Sequence, residues 1–194
     1  MDRTPSPPLE GKIVRLEPLS MSHLDGLCAV GLDPGLWKLS PTSVESRAAM
    51  EEYIRGALRL HESGMAVPFA TIHRPSETIV GSTRFGNIDR CNRRVEIGWT
   101  WIARPWQRTG VNTEAKYLML VHAFEEWNCL RVEFKTDVLN ERSRAALMRI
   151  GAVEEGILRS HMLTFSGRVR DSVYYSIVRD EWDDVKRRLE AMLA

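Results

Sequence analysis

The sequence predicts an α/β fold of the α+β kind, with one central mixed, mostly antiparallel twisted sheet of about seven strands flanked by helices. Three observations carry this. The runs Val67 to His73, Thr78 to Phe85 and Arg94 to Ile102 follow one another across short polar turns, as an antiparallel meander does. From Arg94 onward the order is strand, helix, strand, helix, which marks a crossover between two parallel strands. Two further strand-like runs, Ala152 to Leu163 and Val169 to Val178, flank Ser166-Gly167 and read as a closing hairpin.

In chain order, residues 1–10 are expected to form a flexible lead-in, with Pro and Ser concentrated between Thr4 and Pro8. Lys12 to Leu16 alternates polar and apolar as a half-exposed strand, and Pro18 stops it. Ser20 to Val30, with a capping serine and Leu24, Leu27 and Cys28 at helical spacing, predicts a short helix. Leu32 to Thr42, with Pro34, Gly35 and Pro41, reads as loop. Ser43 to Ser63 places Met50, Tyr53, Ile54, Ala57, Leu58 and His61 on one stripe, and Gly64 ends that helix. Arg74 to Glu77 and Asp89 to Asn92 supply the meander's turns.

The centre of the chain is Arg104 to Trp127. Before it, Val95 to Ile102 is β-branched and aromatic, and Pro105 marks the strand's end. After it, Val111, Ala115, Leu118, Met119 and His122 give a helix one mainly apolar face. Beyond that helix, Arg131 to Val138 alternates as a strand, Asn140 to Ile150 reads as a helix closed by Gly151, and Asp180 to Leu193 is a terminal helix.

The turn Gln107-Arg108-Thr109-Gly110-Val111-Asn112-Thr113 opens the central helix. The first N–H groups of a helix lack intrahelical partners, and the macrodipole is positive there. With Arg104 and Arg108 nearby, this is a candidate anion site suited to phosphate. Gly110 is expected to serve it through a positive φ or a close backbone approach. An ordinary strand-to-helix connection reads the same way.

Composition sets the bounds. The 194 residues suffice for a single domain over 1–194. Lys and Arg number 27 against 26 Asp and Glu, so net charge makes no case for nucleic acid or an anionic membrane. Cys28, Cys91 and Cys129 stand singly, without the spacing of a zinc or dithiol site, and point to a reducing compartment. No apolar run approaches the roughly 20 residues of a membrane span, and a cytoplasmic location without membrane or metal is expected.

The turn resembles the signature of the GNAT superfamily of acyl-CoA-dependent N-acetyltransferases: Gln or Arg, two residues, Gly, one residue, then Gly or Ala. Gln107 and Gly110 match, and Asn112 stands where the family has Gly or Ala. The order of elements resembles a GNAT domain from about Lys12 to Trp182. Gly11 to Leu19 (GKIVRLEPL), Glu96-Ile97-Gly98-Trp99 and Asn140-Glu141-Arg142-Ser143 resemble the Rim-type branch, which acetylates ribosomal-protein N termini.

The resemblance implies a GNAT fold splayed between the fourth and fifth of the seven strands. It implies acetyl-CoA as co-substrate, with its pantetheine arm at the backbone of Trp101 and Ile102. Gln107, Arg108, Thr109, Gly110, Val111, Asn112 and Thr113 would hold the pyrophosphate, and Asn140 the coenzyme arm. Asn140 reads equally as a helix cap. Many relatives place a Tyr on the following helix as the acid; here Ser143 matches the serine given that role in the Rim branch, or it simply sits in a first helical turn. Glu96 is the candidate base, against a paired or solvated strand carboxylate; His161 is a weaker one. Trp37, Tyr53, Trp99, Trp101 and Trp106 line either an acceptor groove or the core.

The implied activity is acetyl transfer from acetyl-CoA to a primary amine, such as a protein N terminus or a small molecule. Two other classes are open: an acyl-CoA-binding regulatory module without turnover, and docking on RNA through Arg90, Arg93, Arg94, Arg104 and Arg108. Of these, no direct nucleic-acid partner is expected. A homodimer, seated on the exposed edge of the tail hairpin, follows only from family habit.

Overall fold

The computed structural model describes residues 7–194. Eight strands form one sheet: β1 (Leu9–Glu10), β2 (Val14–Pro18), β3 (Val67–His73), β4 (Thr78–Asp89), β5 (Arg94–Ile102), β6 (Arg131–Asp137), β7 (Val153–Leu163) and β8 (Val169–Val178). Their order is β1-β2-β3-β4-β5-β6-β8-β7, antiparallel throughout except for β5 beside β6. The eighth strand is the two-residue Leu9–Glu10, too short to show a period in sequence, inside the segment expected to be a flexible lead-in. Thr4, Pro5 and Ser6 of that lead-in lie outside the described residues.

Helices α1 (Leu24–Gly31) and α2 (Arg47–Glu62) cover one face. There Leu27, Met50, Ile54 and Ala57 close over Ala70 and Trp101. Helices α3 (Gly110–Val121) and α5 (Trp182–Leu193) cover the other, where Met119, Leu120, Val185 and Leu189 meet Phe69, Phe85, Val95, Ile97 and Val132. Helix α4 (Glu141–Arg149) adds Leu147 to that second core. Helix α2 begins four residues later than the expected Ser43, because Ser46 rather than Ser43 caps it: Ser46 Oγ accepts the Ala49 N–H at 3.2 Å. Helix α3 is also shorter than its pattern, passing into a π-turn over His122–Glu126.

Two features shape the middle of the sheet. The parallel pair β5/β6 is joined only at Arg94–Glu96 against Arg131–Glu133, so beyond those residues the strands part. The parting falls between the strands numbered fourth and fifth without β1. The second feature is a bulge in β5: Ser82 faces Trp101 while Arg84 faces Gly98, so one residue of β4 opposes two of β5. Trp99 takes up the extra length with φ +50°, a costly conformation for a non-glycine residue.

The bulge changes which face each side chain meets. Val95 and Ile97 point into the α3 core, and strict alternation would send Trp99 and Trp101 after them. Instead Ile102 points there, with Thr100 bonded to a residue of α3, and Trp101 packs under α1 and α2.

Candidate active site

Beyond the last paired residues of β5 and β6 lies a wedge, with the N-termini of α3 and α4 at its open mouth because each helix follows directly on a parting strand. Helix N-termini at the carboxyl ends of parallel strands are where open sheets bind anionic ligands.

At the α3 mouth the predicted turn is present. Thr109 is the N-cap, its Oγ1 donating to the Trp106 carbonyl at 2.7 Å and accepting from Val111 N–H at 3.3 Å. The N–H groups of Gly110 and Asn112 bond nothing among the described residues. Arg108 is exposed and makes no ion pair among the described residues, whereas Arg104, expected beside it, pairs with Asp33. The left-handed residue of this turn is Arg108, φ +62°, so of the two roles expected of Gly110 the positive φ falls to Arg108. Gly110 is needed for closeness, but to protein: a Cβ on it would lie 2.6 Å from Ile13 Cδ1.

Gln107 turns back along the strand, donating from Nε2 to the Ile102 carbonyl at 2.8 Å, which occupies one of the backbone groups expected to be free. Thr113 is buried and accepts from Arg149 of α4 at 3.0 Å. The Asn112 side-chain oxygen is buried with no hydrogen-bond partner. That oxygen is an acceptor and does not itself answer an anion; the free N–H groups of Gly110 and Asn112 at the helix N-terminus and the nearby Arg108 are the donors that fit a phosphate. The residues present thus suit the pyrophosphate of a coenzyme.

At the α4 mouth Asn140 is the N-cap, its Oδ1 accepting the Ser143 N–H at 3.1 Å. Ser143, in the first turn, is partly exposed, and its hydroxyl makes no hydrogen bond among the described residues.

The α1/α2 side of the wedge holds a polar cluster. Glu96 is 3% exposed; it accepts from Asn87 Nδ2 at 2.7 Å and lies 3.3 Å from Lys135 Nζ. It is therefore paired and buried, not a solvated strand carboxylate. His161 sits nearby against Tyr174, with Nδ1 buried and unpartnered. Burial, then the charges of Lys135 and Arg170, hold its pKa below the usual value, while Glu96 pulls the other way. Asp137 pairs with Arg168. Of the aromatic candidates, Trp37 and Trp101 are core, Trp106 stacks on His73 on the rim, and Trp99 and Tyr53 flank this cluster.

Residues 14–153, most of the chain, match the family model described as "Acetyltransferase (GNAT) domain". The chain belongs to the GNAT family of acetyltransferases. "Putative ribosomal N-acetyltransferase YdaF" of Bacillus subtilis is 38% identical over 109 residues, covering 56% of this chain and 58% of that one, so the match spans less than two thirds of the relative's length. A GCN5-related N-acetyltransferase from Brucella melitensis superposes with a TM-score of 0.90 at 31% identity, covering 100% of this chain and 87% of that one. The Mycobacterium smegmatis RimJ structure, in complex with CoA-disulfide, shares the fold at a TM-score of 0.81 and 24% identity, over 92% of this chain and 88% of that one. Proteins of the ribosomal N-acetyltransferase branch thus stand among its similar GNAT relatives.

Three residues of this GNAT site escaped the sequence reading. Glu114 and Lys116 look like solvated helix residues, yet both are buried. Glu114 accepts the N–H groups of Lys12, Ile13 and Val14 at 2.9, 2.6 and 2.6 Å, which fixes the β1–β2 turn against α3. A Cβ on Gly11 would collide with that carboxylate, which accounts for glycine there. Lys116 reaches across the wedge from Thr100 on β5 to the ring of Phe134 on β6. Arg84 lies buried in β4 between Tyr53 and Trp99.

Proposed function

We propose that the protein transfers the acetyl group of acetyl-CoA to a primary amine, with the pyrophosphate at Gln107 to Thr113 and the pantetheine arm along the wedge past Trp101, Ile102 and Asn140. The observation that carries this is the pair of free N–H groups of Gly110 and Asn112 at the N-terminus of α3, beside Arg108, at the mouth of the parted strands. Asn112, where the family has a small residue, adds a side-chain amide whose Nδ2 is the one atom able to donate to phosphate.

The acceptor enters from the α1/α2 side, where Glu96 lies. As the amine nitrogen bonds to the carbonyl carbon and the C–S bond breaks, Glu96 takes the amine proton, directly or through water, and the Ser143 hydroxyl supplies one to the departing thiolate. Lys135, 3.3 Å from Glu96, and Asn87, donating to it at 2.7 Å, hold that carboxylate in place. Similarity to the ribosomal N-acetyltransferase branch supports a protein N terminus as acceptor. The three unpaired thiols, Cys28, Cys91 and Cys129, suit the reducing cytoplasm.

Thiol release from acetyl-CoA, measured with a panel of N-terminal peptides and small amines, tests the reading. Amine-dependent release supports it. Coenzyme binding with no release from any amine would instead favour a regulatory acyl-CoA-binding module.

A further inference from the structure

Arg84 is 4% exposed, yet its guanidinium makes no hydrogen bond or ion pair among the described residues, and its Nε is buried without a partner. Its contacts are two rings: the guanidinium carbon lies 5.1 Å from the Tyr53 ring centroid and 5.2 Å from that of Trp99. Two rings within cation–π distance offer the guanidinium their π faces but no acceptor for its N–H groups. A buried, unpaired charge is costly to keep and calls for an anion.

The setting says which anion. Arg84 faces Gly98 on β5, and Glu96 is two residues along that strand, roughly 7 Å away on the same face. Trp99 lies between the two, its indole packed over Gly86, which itself faces Glu96. Trp99 also carries Lys135 Nζ 5.9 Å from its ring, and it is 39% exposed, so the acceptor side opens over it. A second buried donor, Trp101 Nε1, is likewise unpartnered and stands diagonally beside Arg84 on the same face, opposite Ser82. The cover is a weak one, the Tyr53 hydroxyl reaching the Trp99 carbonyl at 3.4 Å.

We propose that the unpaired guanidinium of Arg84, beside the Tyr53 and Trp99 rings and one strand over from Glu96, binds a carboxylate of the acceptor, so that the enzyme prefers amines carrying a carboxylate. This rests on the acetyl-transfer reading and narrows its acceptor. A planar two-oxygen anion matches the paired N–H donors of a guanidinium. The carboxylate comes either from a free amino acid or from an acidic residue beside a peptide's N terminus.

The test is a set of matched pairs: each amino acid against its amide, and N-terminal peptides with Asp or Glu against Asn or Gln at the second position, all with acetyl-CoA. The free-acid pairs and the peptide pairs distinguish the two sources. In at least one set the acid is expected to exceed its neutral partner by at least tenfold in kcat/KM. Arg84→Gln and Arg84→Lys should each bring that ratio to within about twofold of one, through KM, with the acetyl-CoA Kd unchanged. Ratios near one in every wild-type pair would overturn the proposal, and that comparison needs no variant to fold. A preference that survives Arg84→Gln would also overturn it. Acetyl-CoA binding titrated in parallel separates this failure from the larger one: no binding would end the acetyl-transfer reading and the proposal with it.

Discussion

Lys116 Nζ lies 2.9 Å from Thr100 Oγ1, and the bulge at Trp99 is what turns Thr100 toward it. Lys116 is fully buried, and desolvation pushes its pKa down to about 7, Glu96 only partly opposing this. The unfolded lysine keeps the ordinary value of 10.5. Between those values the unfolded state binds the extra proton, so stability should rise with pH from about 7 toward 10.5. Below about 7 the native state carries the buried charge and its full penalty. Lys116→Met should raise stability by on the order of a few kcal/mol at pH 6 and by progressively less toward pH 10. Urea unfolding of both proteins across that range measures it; a difference that does not shrink with pH would contradict the assignment.

Glu114 is a structural carboxylate that ties α3 to the first turn of the sheet. Glu114→Ala leaves three buried or half-buried N–H groups without an acceptor. A loss of about 3 kcal/mol or more is expected, lowering Tm by roughly 6–12 °C. Gly11→Ala, which presses on the same carboxylate, should act in the same direction. Thermal unfolding that leaves either variant within about a degree of the parent would refute this role.

Glu96→Gln keeps the Asn87 contact's shape but removes the charge that balances Lys135. If Glu96 takes the amine proton, kcat/KM should fall by about 10²–10⁴ with the acetyl-CoA Kd unaltered. Steady-state kinetics beside a binding titration separate the two effects, and a fall smaller than threefold would exclude Glu96 as the base.

Ser143→Ala should lower kcat by roughly tenfold or more while leaving the α4 cap, which uses only the Ser143 backbone N–H, intact. Asn140→Ala removes that cap and should cost about 1 kcal/mol of stability as well. An unchanged kcat for Ser143→Ala would remove its hydroxyl from the mechanism.

What the sequence made legible, and what it did not, divides along physical lines. Strands β2 to β8 and helices α1 to α5 all lie near where the sequence pattern puts them, although only some bury a single face: β6 alternates, β3 is buried on both faces and β7 is exposed along most of its length. The turn that opens α3 is readable because Pro105 and Gly110 punctuate it. The bulge was not: Trp99-Thr100-Trp101 alternates perfectly, and only pairing with β4 shows the extra residue. Arg84 and Lys116 were missed for a related reason. A long charged side chain is normally read as solvated, and these two lie in elements covered on all sides. For Gly110 the sequence leaves a positive φ and a close approach both open, and the close contact is with Ile13, a residue about a hundred positions away that no local pattern exposes.

The central claim is that a coenzyme pyrophosphate sits at the N-terminus of α3, and isothermal titration of acetyl-CoA into the protein and into Asn112→Asp tests it most directly. Asp is isosteric and favourable in a helix's first turn, so the fold is retained while a negative charge enters the anion site. Saturable binding to the parent, weakened at least tenfold in Asn112→Asp, is the result expected. Equal affinity in the two proteins, or no binding to the folded parent, would contradict it.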